Sequence, residues 1–355
     1  MLHTTHMTNL NLRPMKHARS LLVPLVAALV AGCGGGGGGG SSSAVQVPTA
    51  VRSLPASAGS DVNEAGFVAT GSAVVRSLLS GFGGTAFEQT LSADRAPAPA
   101  AGVDLRRPAS LARWALAQAP RPGTATGREP AQAVAQETRS CVTAAGGAGS
   151  FTVIANDADN NQLLSRGDTI SITFSACAFA SGDPLANGDV TIGVNAIELD
   201  ANEAPTALDL ALTFEAFSIE GQGSLSGGAR LWAVSTGSGE HSLLRYTNLR
   251  ATIGVDVTTL NIDLDQRLAG SLVSTAVNGA VTLSGQAYKL VQATPFTSTV
   301  TGRPETGTLG VSDAAGDRLD LTARGSVVDF DFTPFGSAAP TAFQHGLPWS
   351  SFEAP

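Results

Sequence analysis

The chain has 355 residues, with 21 Lys and Arg against 29 Asp and Glu, and 5% of its residues are aromatic. A net charge of −8 argues against nucleic acid or an anionic membrane face as a partner, because counterion release needs clustered cations. Two tyrosines in the whole chain argue against a membrane barrel, whose outer surface carries two aromatic girdles.

The amino terminus reads as an export signal. Arg13, Lys16 and Arg19 form a positive region, followed by an apolar stretch from Leu21 to Ala31 broken only by Pro24. That stretch is shorter than the roughly 20 apolar residues a bilayer span needs. It ends in Val30-Ala31-Gly32-Cys33, which resembles the lipobox of bacterial lipoproteins, with Val30 in place of the commoner leucine. The resemblance implies that residues 1–32 are a signal peptide and that Cys33 carries a diacylglycerol. It also implies an acylated new amino group and, from Gly34 after the cysteine, sorting to the outer membrane of a Gram-negative cell. The other reading is an ordinary secretory signal with an incidental cysteine. Loss of the signal leaves 18 Lys and Arg against 29 Asp and Glu, a net charge of −11, with Lys289 the only lysine. Gly34 to Gly40 and Ser41 to Ser43 form a flexible tether, and two acyl chains suffice for stable anchoring. The membrane is the one partner this segment names.

Residues 33–136 are rich in Ala, Gly, Pro and Ser. Ala96-Pro97-Ala98-Pro99-Ala100 and Ala119-Pro120-Arg121-Pro122-Gly123 interrupt any regular element. Two pieces have helical apolar spacing, Val62 to Leu79 and Leu105 to Gln118. The expectation is a mostly disordered stalk in which these are short helices; packing on the following domain is the alternative.

From about residue 137 to 335 the period changes to two. Ile170, Ile172 and Phe174; Val190, Ile192 and Val194; Leu208 to Phe214; Leu260, Ile262 and Leu264; Val281 and Leu283; and Val328, Phe330 and Phe332 each alternate with polar or small residues. These are half-buried strands. Asn187-Gly188, Gly221-Gln222-Gly223, Ser238-Gly239, Asn278-Gly279 and Ala315-Gly316-Asp317 are taken as the turns between them. The expected fold is all-β: an antiparallel meander of about a dozen strands forming a sandwich, a barrel or a curled sheet. Asn187–Asn195, Gly221–Ala229 and Asn278–Gln286 share a loose Gly-containing pattern. Residues 336–355 are expected to form an irregular tail. Cys141 and Cys177 are the two cysteines left after Cys33. In an oxidising compartment they read as one disulfide, contributing roughly 4 kcal/mol in the chain-entropy model; two separate buried thiols are the other reading.

One constellation carries chemistry. From Asp157, oxygen-bearing side chains fall at positions 1, 3, 5, 9 and 12: Asp157, Asp159, Asn161, Ser165 and Asp168, with Leu163 at position 7 offering its carbonyl. This is the ligand spacing of a calcium loop of the EF-hand type. Gln162 stands where that pattern has glycine, Asp168 is shorter than the usual glutamate, and the flanks read as strands. A polar loop built from Asx-turns is the alternative. The run Ser140-Cys141-Val142, Asn156 to Asn161, and Gly167-Asp168 to Cys177 also resembles uncharacterised outer-membrane lipoproteins of Gram-negative bacteria, most specifically over 140–200. That resemblance implies an outer-membrane lipoprotein with a β-domain and supplies no activity. Gly223-Ser224-Leu225-Ser226-Gly227 has Leu where a nucleophile elbow has Ser. His241 reads as solvated, and Asp263, Asp265, Asp329 and Asp331 as a solvated strand face. The expected role is non-catalytic, structural or surface-interacting. A module binding glycan, lipid or peptide is the alternative, for which exposed Trp232 or Trp349 would favour glycan.

Overall fold

In the computed structural model the described residues are 44–50, 62–81, 108–119, 134–142, 146–161, 163–179, 181–200, 205–221, 223–236, 239–253, 256–299 and 303–352. They belong to one compact unit spanning 44–355. The signal, Cys33 and the Gly/Ser tether lie outside the described residues.

Fourteen strands follow one another in space in the order of the sequence, each antiparallel to the next. They are β1 (Val134–Ser140), β2 (Ala148–Asn156), β3 (Thr169–Ala178), β4 (Ala186–Leu199), β5 (Pro205–Ile219), β6 (Gly223–Thr236) and β7 (Gly239–Ile253). The second half is β8 (Asp256–Ala269), β9 (Leu272–Leu283), β10 (Gln286–Thr299), β11 (Thr306–Ser312), β12 (Arg318–Arg324), β13 (Val327–Thr333) and β14 (Ala342–Pro348). The all-β meander is therefore present as one curled sheet, with β1 and β14 as its edges. It begins a few residues before 137, and the tail after 336 is not irregular throughout. Ala342 to Pro348 pair with β13, and the short turn Trp349–Ser351 folds back with Trp349 and Phe352 buried. Both aromatics join the apolar core, which is why so short a terminal strand is held.

Period-two burial explains the sheet. Leu208, Leu210, Leu212 and Phe214 face inward from β5, and Leu231 in β6, Leu260, Ile262 and Leu264 in β8 and Val277 and Val281 in β9 continue the same face. Two helices cover it: α1 (Phe67–Gly81) against β9, β12 and β13, and α2 (Pro108–Gln118) against β3 and β5. Phe67 stacks on Phe332 at 6.0 Å, and Gly71 lies over Phe330 and Leu319 with no room for a Cβ. Trp114 enters a cage of Phe151, Phe174 and Phe179 with centroids 5.0, 5.8 and 5.5 Å away. The expectation of a stalk over these two segments is thus corrected. Their apolar stripes are buried in the core of the β-domain, because a sheet apolar on one face needs a second layer. Val45 donates its N–H to Glu198 at 2.7 Å, so the chain already touches the domain two residues after the tether.

Asn187-Gly188 and Asn278-Gly279 are not turns. Both lie inside strands, β4 and β9. Gly188 sits at a register shift opposite Ala216, and Gly149 and Gly227 sit at equivalent shifts opposite Ala176 and Asn248. At each, the glycine φ is positive and a Cβ would fall 2.0 to 2.3 Å from the partner's carbonyl oxygen. These β-bulges add bend and twist to their strands. The loose Gly pattern of the sequence is in part the record of this line of bulges. Gly279 stands in continuous register opposite Ile262, with a φ of +135° and a Cβ position 2.2 Å from the Asn261 oxygen.

A candidate metal centre in the first long loop

The connection between β2 and β3, from Asp157 to Asp168, carries the loop singled out by spacing. Its shape follows from its Asp and Asn residues. Asn161 N–H donates to Asp157 Oδ1 at 3.1 Å and to Asp159 Oδ1 at 3.2 Å, and Leu163 N–H donates to Asn161 Oδ1 at 2.7 Å. Asn160 takes a left-handed φ of 56°, which asparagine tolerates better than most residues. The far end is clamped to β4, where Gly167 N–H donates to Val194 O at 2.8 Å and Val194 N–H to Asp168 O at 2.9 Å. The role of Val194 was not legible in the sequence, because no spacing rule couples a loop to a strand beginning 18 residues later.

One carboxylate oxygen from each of Asp157, Asp159 and Asp168 can be chosen so that all three lie within 4.8 Å of one another. Asp157 and Asp168 are buried and Asp159 is exposed. Asp168 accepts the N–H groups of Ala158 at 2.9 Å and Ser165 at 2.6 Å. Ser165 Oγ donates to Asp159 Oδ2 at 3.0 Å, and Asn161 Nδ2 donates to the same oxygen at 2.8 Å. Three of the six expected ligands therefore converge, and Asn161 and Ser165 sit in contact with them. Their hydroxyl and amide groups are spent within the loop, and the Leu163 side chain is exposed. Three negative charges this close repel, and a hard divalent cation that takes oxygen ligands is the chemistry that would relieve them. Backbone N–H groups relieve part of the same charge, as in a plain Asx loop.

Cys141 and Cys177 form the expected disulfide, with Cα atoms 5.5 Å apart, both residues fully buried. It ties the end of β1 to the end of β3 across β2. The remaining carboxylates behave otherwise than as a solvated face. Asp263 is fully buried and takes a two-pronged bond from Arg245, with Nε at 2.8 Å and Nη2 at 2.7 Å. Arg230 grips Asp209 in the same way, and both guanidinium groups lie against the Trp232 ring, at 4.5 and 5.4 Å. His241 is not fully solvated either, and its Nε2 lies 2.9 Å from Asp265 Oδ1. Asp329 pairs with Arg324, and Asp331 with His345 at 2.7 Å. Trp232 and Trp349 are both buried, so neither forms the exposed platform that would favour glycan. No helix among the described residues is long and apolar enough to cross a membrane. Comparison with protein-family models, curated proteins and solved structures finds no match to this chain.

Proposed function

We propose that this chain is a lipid-anchored envelope protein of a Gram-negative bacterium, held to the outer membrane through Cys33, with a non-catalytic role for its β-domain. The observation that carries the proposal is Val30-Ala31-Gly32-Cys33 behind a positive and apolar leader. A buried disulfide supports it, since such bonds persist outside the cytoplasm. So does the pairing of Asp263, Asp265, Asp329 and Asp331, each with a basic side chain. Carboxylates so engaged hold strands together rather than face one another across a cleft as a glycosidase pair does. The test is expression with the native leader and metabolic labelling with palmitate. Label and membrane association are expected in the native chain and absent from Cys33→Ser; retention of both by the variant refutes the anchor.

A second reading has its own observation. The convergence of Asp157, Asp159 and Asp168 supports a ligand-binding module in which calcium pins the β2–β3 loop. Thermal unfolding in millimolar calcium against chelator decides it. A stabilisation lost in Asp157→Asn and Asp168→Asn is expected, and an unchanged midpoint refutes it.

A further inference from the structure

The side chains that alternate with the core residues form the outer face of the sheet. Asp209 and Ala211 of β5 lie there between the inward Leu208, Leu210 and Leu212, and Arg230 and Trp232 of β6 lie there on either side of Leu231. Along one row of this face the register reads Gly193, Ala211, Arg230, Arg245 and Asp263, one residue from each of β4 to β8. The next row reads Thr191, Thr213, Gly228 and Thr247.

The order of charges in this patch is not the one that best holds strands together. Arg230 and Arg245 stand directly opposite each other, and like charges so placed destabilise a strand pair. Alternating signs would carry no such cost. Here both cations are central, and Asp209 and Asp263 flank them from β5 and β8. Both guanidinium carbons lie over the one Trp232 ring, at 4.5 and 5.4 Å, so they are within about 10 Å of each other. Each guanidinium spends Nε and Nη2 on its carboxylate. The N–H groups of Nη1 have no partner among the described residues, and the two side chains are 46% and 31% exposed.

Beside the pair the face is bare. A Cβ placed on Gly193 or Gly228 would meet nothing nearer than 3.8 Å, and Ala211 stands between them. Thr213 is exposed at the margin. The surface is therefore a shallow shelf floored by Gly193, Ala211 and Gly228, with two guanidinium groups along one side and a hydroxyl on the other.

We propose that this shelf binds a phosphate group, with Nη1 of Arg230 and Nη1 of Arg245 as donors and the Thr213 hydroxyl as a third. Guanidinium forks match phosphate oxygens. Asp209, Asp263 and the Trp232 ring already fix both forks, so little side-chain freedom is lost on binding. Of the other acidic groups on β4 to β8 of this face, Asp265 faces His241. Asp189, Glu198 and Glu215 stand at least two rows from the arginines, about 14 Å along the strands. That exceeds the roughly 10 Å screening length at 0.1 M salt. Asp209 and Asp263 offset the two cations, so the expected affinity is millimolar. The site needs neither lipidation of Cys33 nor calcium.

The test is calorimetric titration of the full chain, in non-ionic detergent at neutral pH and low ionic strength, with inorganic phosphate and with methyl phosphate. One saturable site is expected. Ala211→Glu places a carboxylate on the shelf and removes neither arginine; it is expected to weaken binding at least about tenfold, as loss of one charged hydrogen bond does. Arg230→Gln is expected to do the same, and Ala211→Glu decides if that variant fails to fold. Arg318→Gln, which breaks the exposed pair with Asp320 on β12, is expected to bind like the native chain. Tighter binding of methyl phosphate assigns the shelf to a phosphomonoester, and equal or weaker binding assigns it to free phosphate. No saturable heat from the native chain at tens of millimolar phosphate overturns the site. So does native affinity in a folded Ala211→Glu, or an equal loss in Arg318→Gln.

Discussion

Replacing Trp114 by alanine tests whether α2 is a structural part of the domain. Trp114 is 2% exposed and touches three phenylalanine rings from β2, β3 and the turn after β3. A buried tryptophan removes about 150–250 Å² from water, an upper value of ~4–6 kcal/mol at ~25 cal/mol per Å². Each ring pair adds roughly 0.5–1.5 kcal/mol. Partial collapse of the cage and residual burial in the unfolded chain reduce the total, so the expected loss is about 4 kcal/mol, within the range for Trp→Ala in cores. Guanidinium unfolding followed by circular dichroism measures it, as a lower midpoint with an unchanged slope. Trp114→Phe should fall between the two. A loss under ~0.5 kcal/mol, the value for an exposed site, would show that α2 is a solvated stalk helix and refute the packing described.

Three further changes follow from the sheet. Gly188→Ala places a Cβ 2.2 Å from the Ala216 oxygen at a φ of +97°; a loss of roughly 3 kcal/mol is expected in the same assay, and a neutral result would mean the bulge is not formed. Arg245→Met leaves the buried Asp263 without its bidentate partner, costing about 3 kcal/mol. Adding Asp263→Asn should recover part of that loss, and strict additivity of the two changes would refute the coupling. Burial and the neighbouring Asp317 hold the Asp313 carboxyl above the usual carboxylate range, although backbone N–H groups including that of Val62 partly offset this. A raised folded value favours the fold while the group is protonated, and that contribution is lost as pH rises through it. Asp313→Asn should therefore gain stability relative to the native chain as pH rises from acid to neutral in thermal melts, and a constant difference would refute the shift.

The strand runs were legible because a half-buried strand must alternate its side chains, and no tertiary information is needed to see that period. The disulfide was legible as a count, since only Cys141 and Cys177 remain beside Cys33. The oxygen spacing of the loop was legible, and the carboxylates of Asp157, Asp159 and Asp168 do converge. Asn187-Gly188 misled for a physical reason: a positive φ serves a hairpin turn and a β-bulge equally, and only the partner strand distinguishes them. The helices misled because their apolar stripes are weak. Val62, Phe67 and Trp114 look like sparse apolar residues in a Pro/Ala-rich region until the inner sheet face is there to receive them.

The amino-acid sequence by itself determines local quantities: the apolar stretch before Cys33, the strand period, the count of cysteines and the oxygen spacing of the loop. All depend on residues near one another in the chain. Tertiary structure alone decided that the sheet stays a single open meander and that α1 and α2 form its second layer. It also decided that Asp263 lies buried under Arg245, and that Val45 meets Glu198 near the end of β4. Each of these joins residues far apart in sequence. Their energies come from burial and pairing that exist only once the strands are in register.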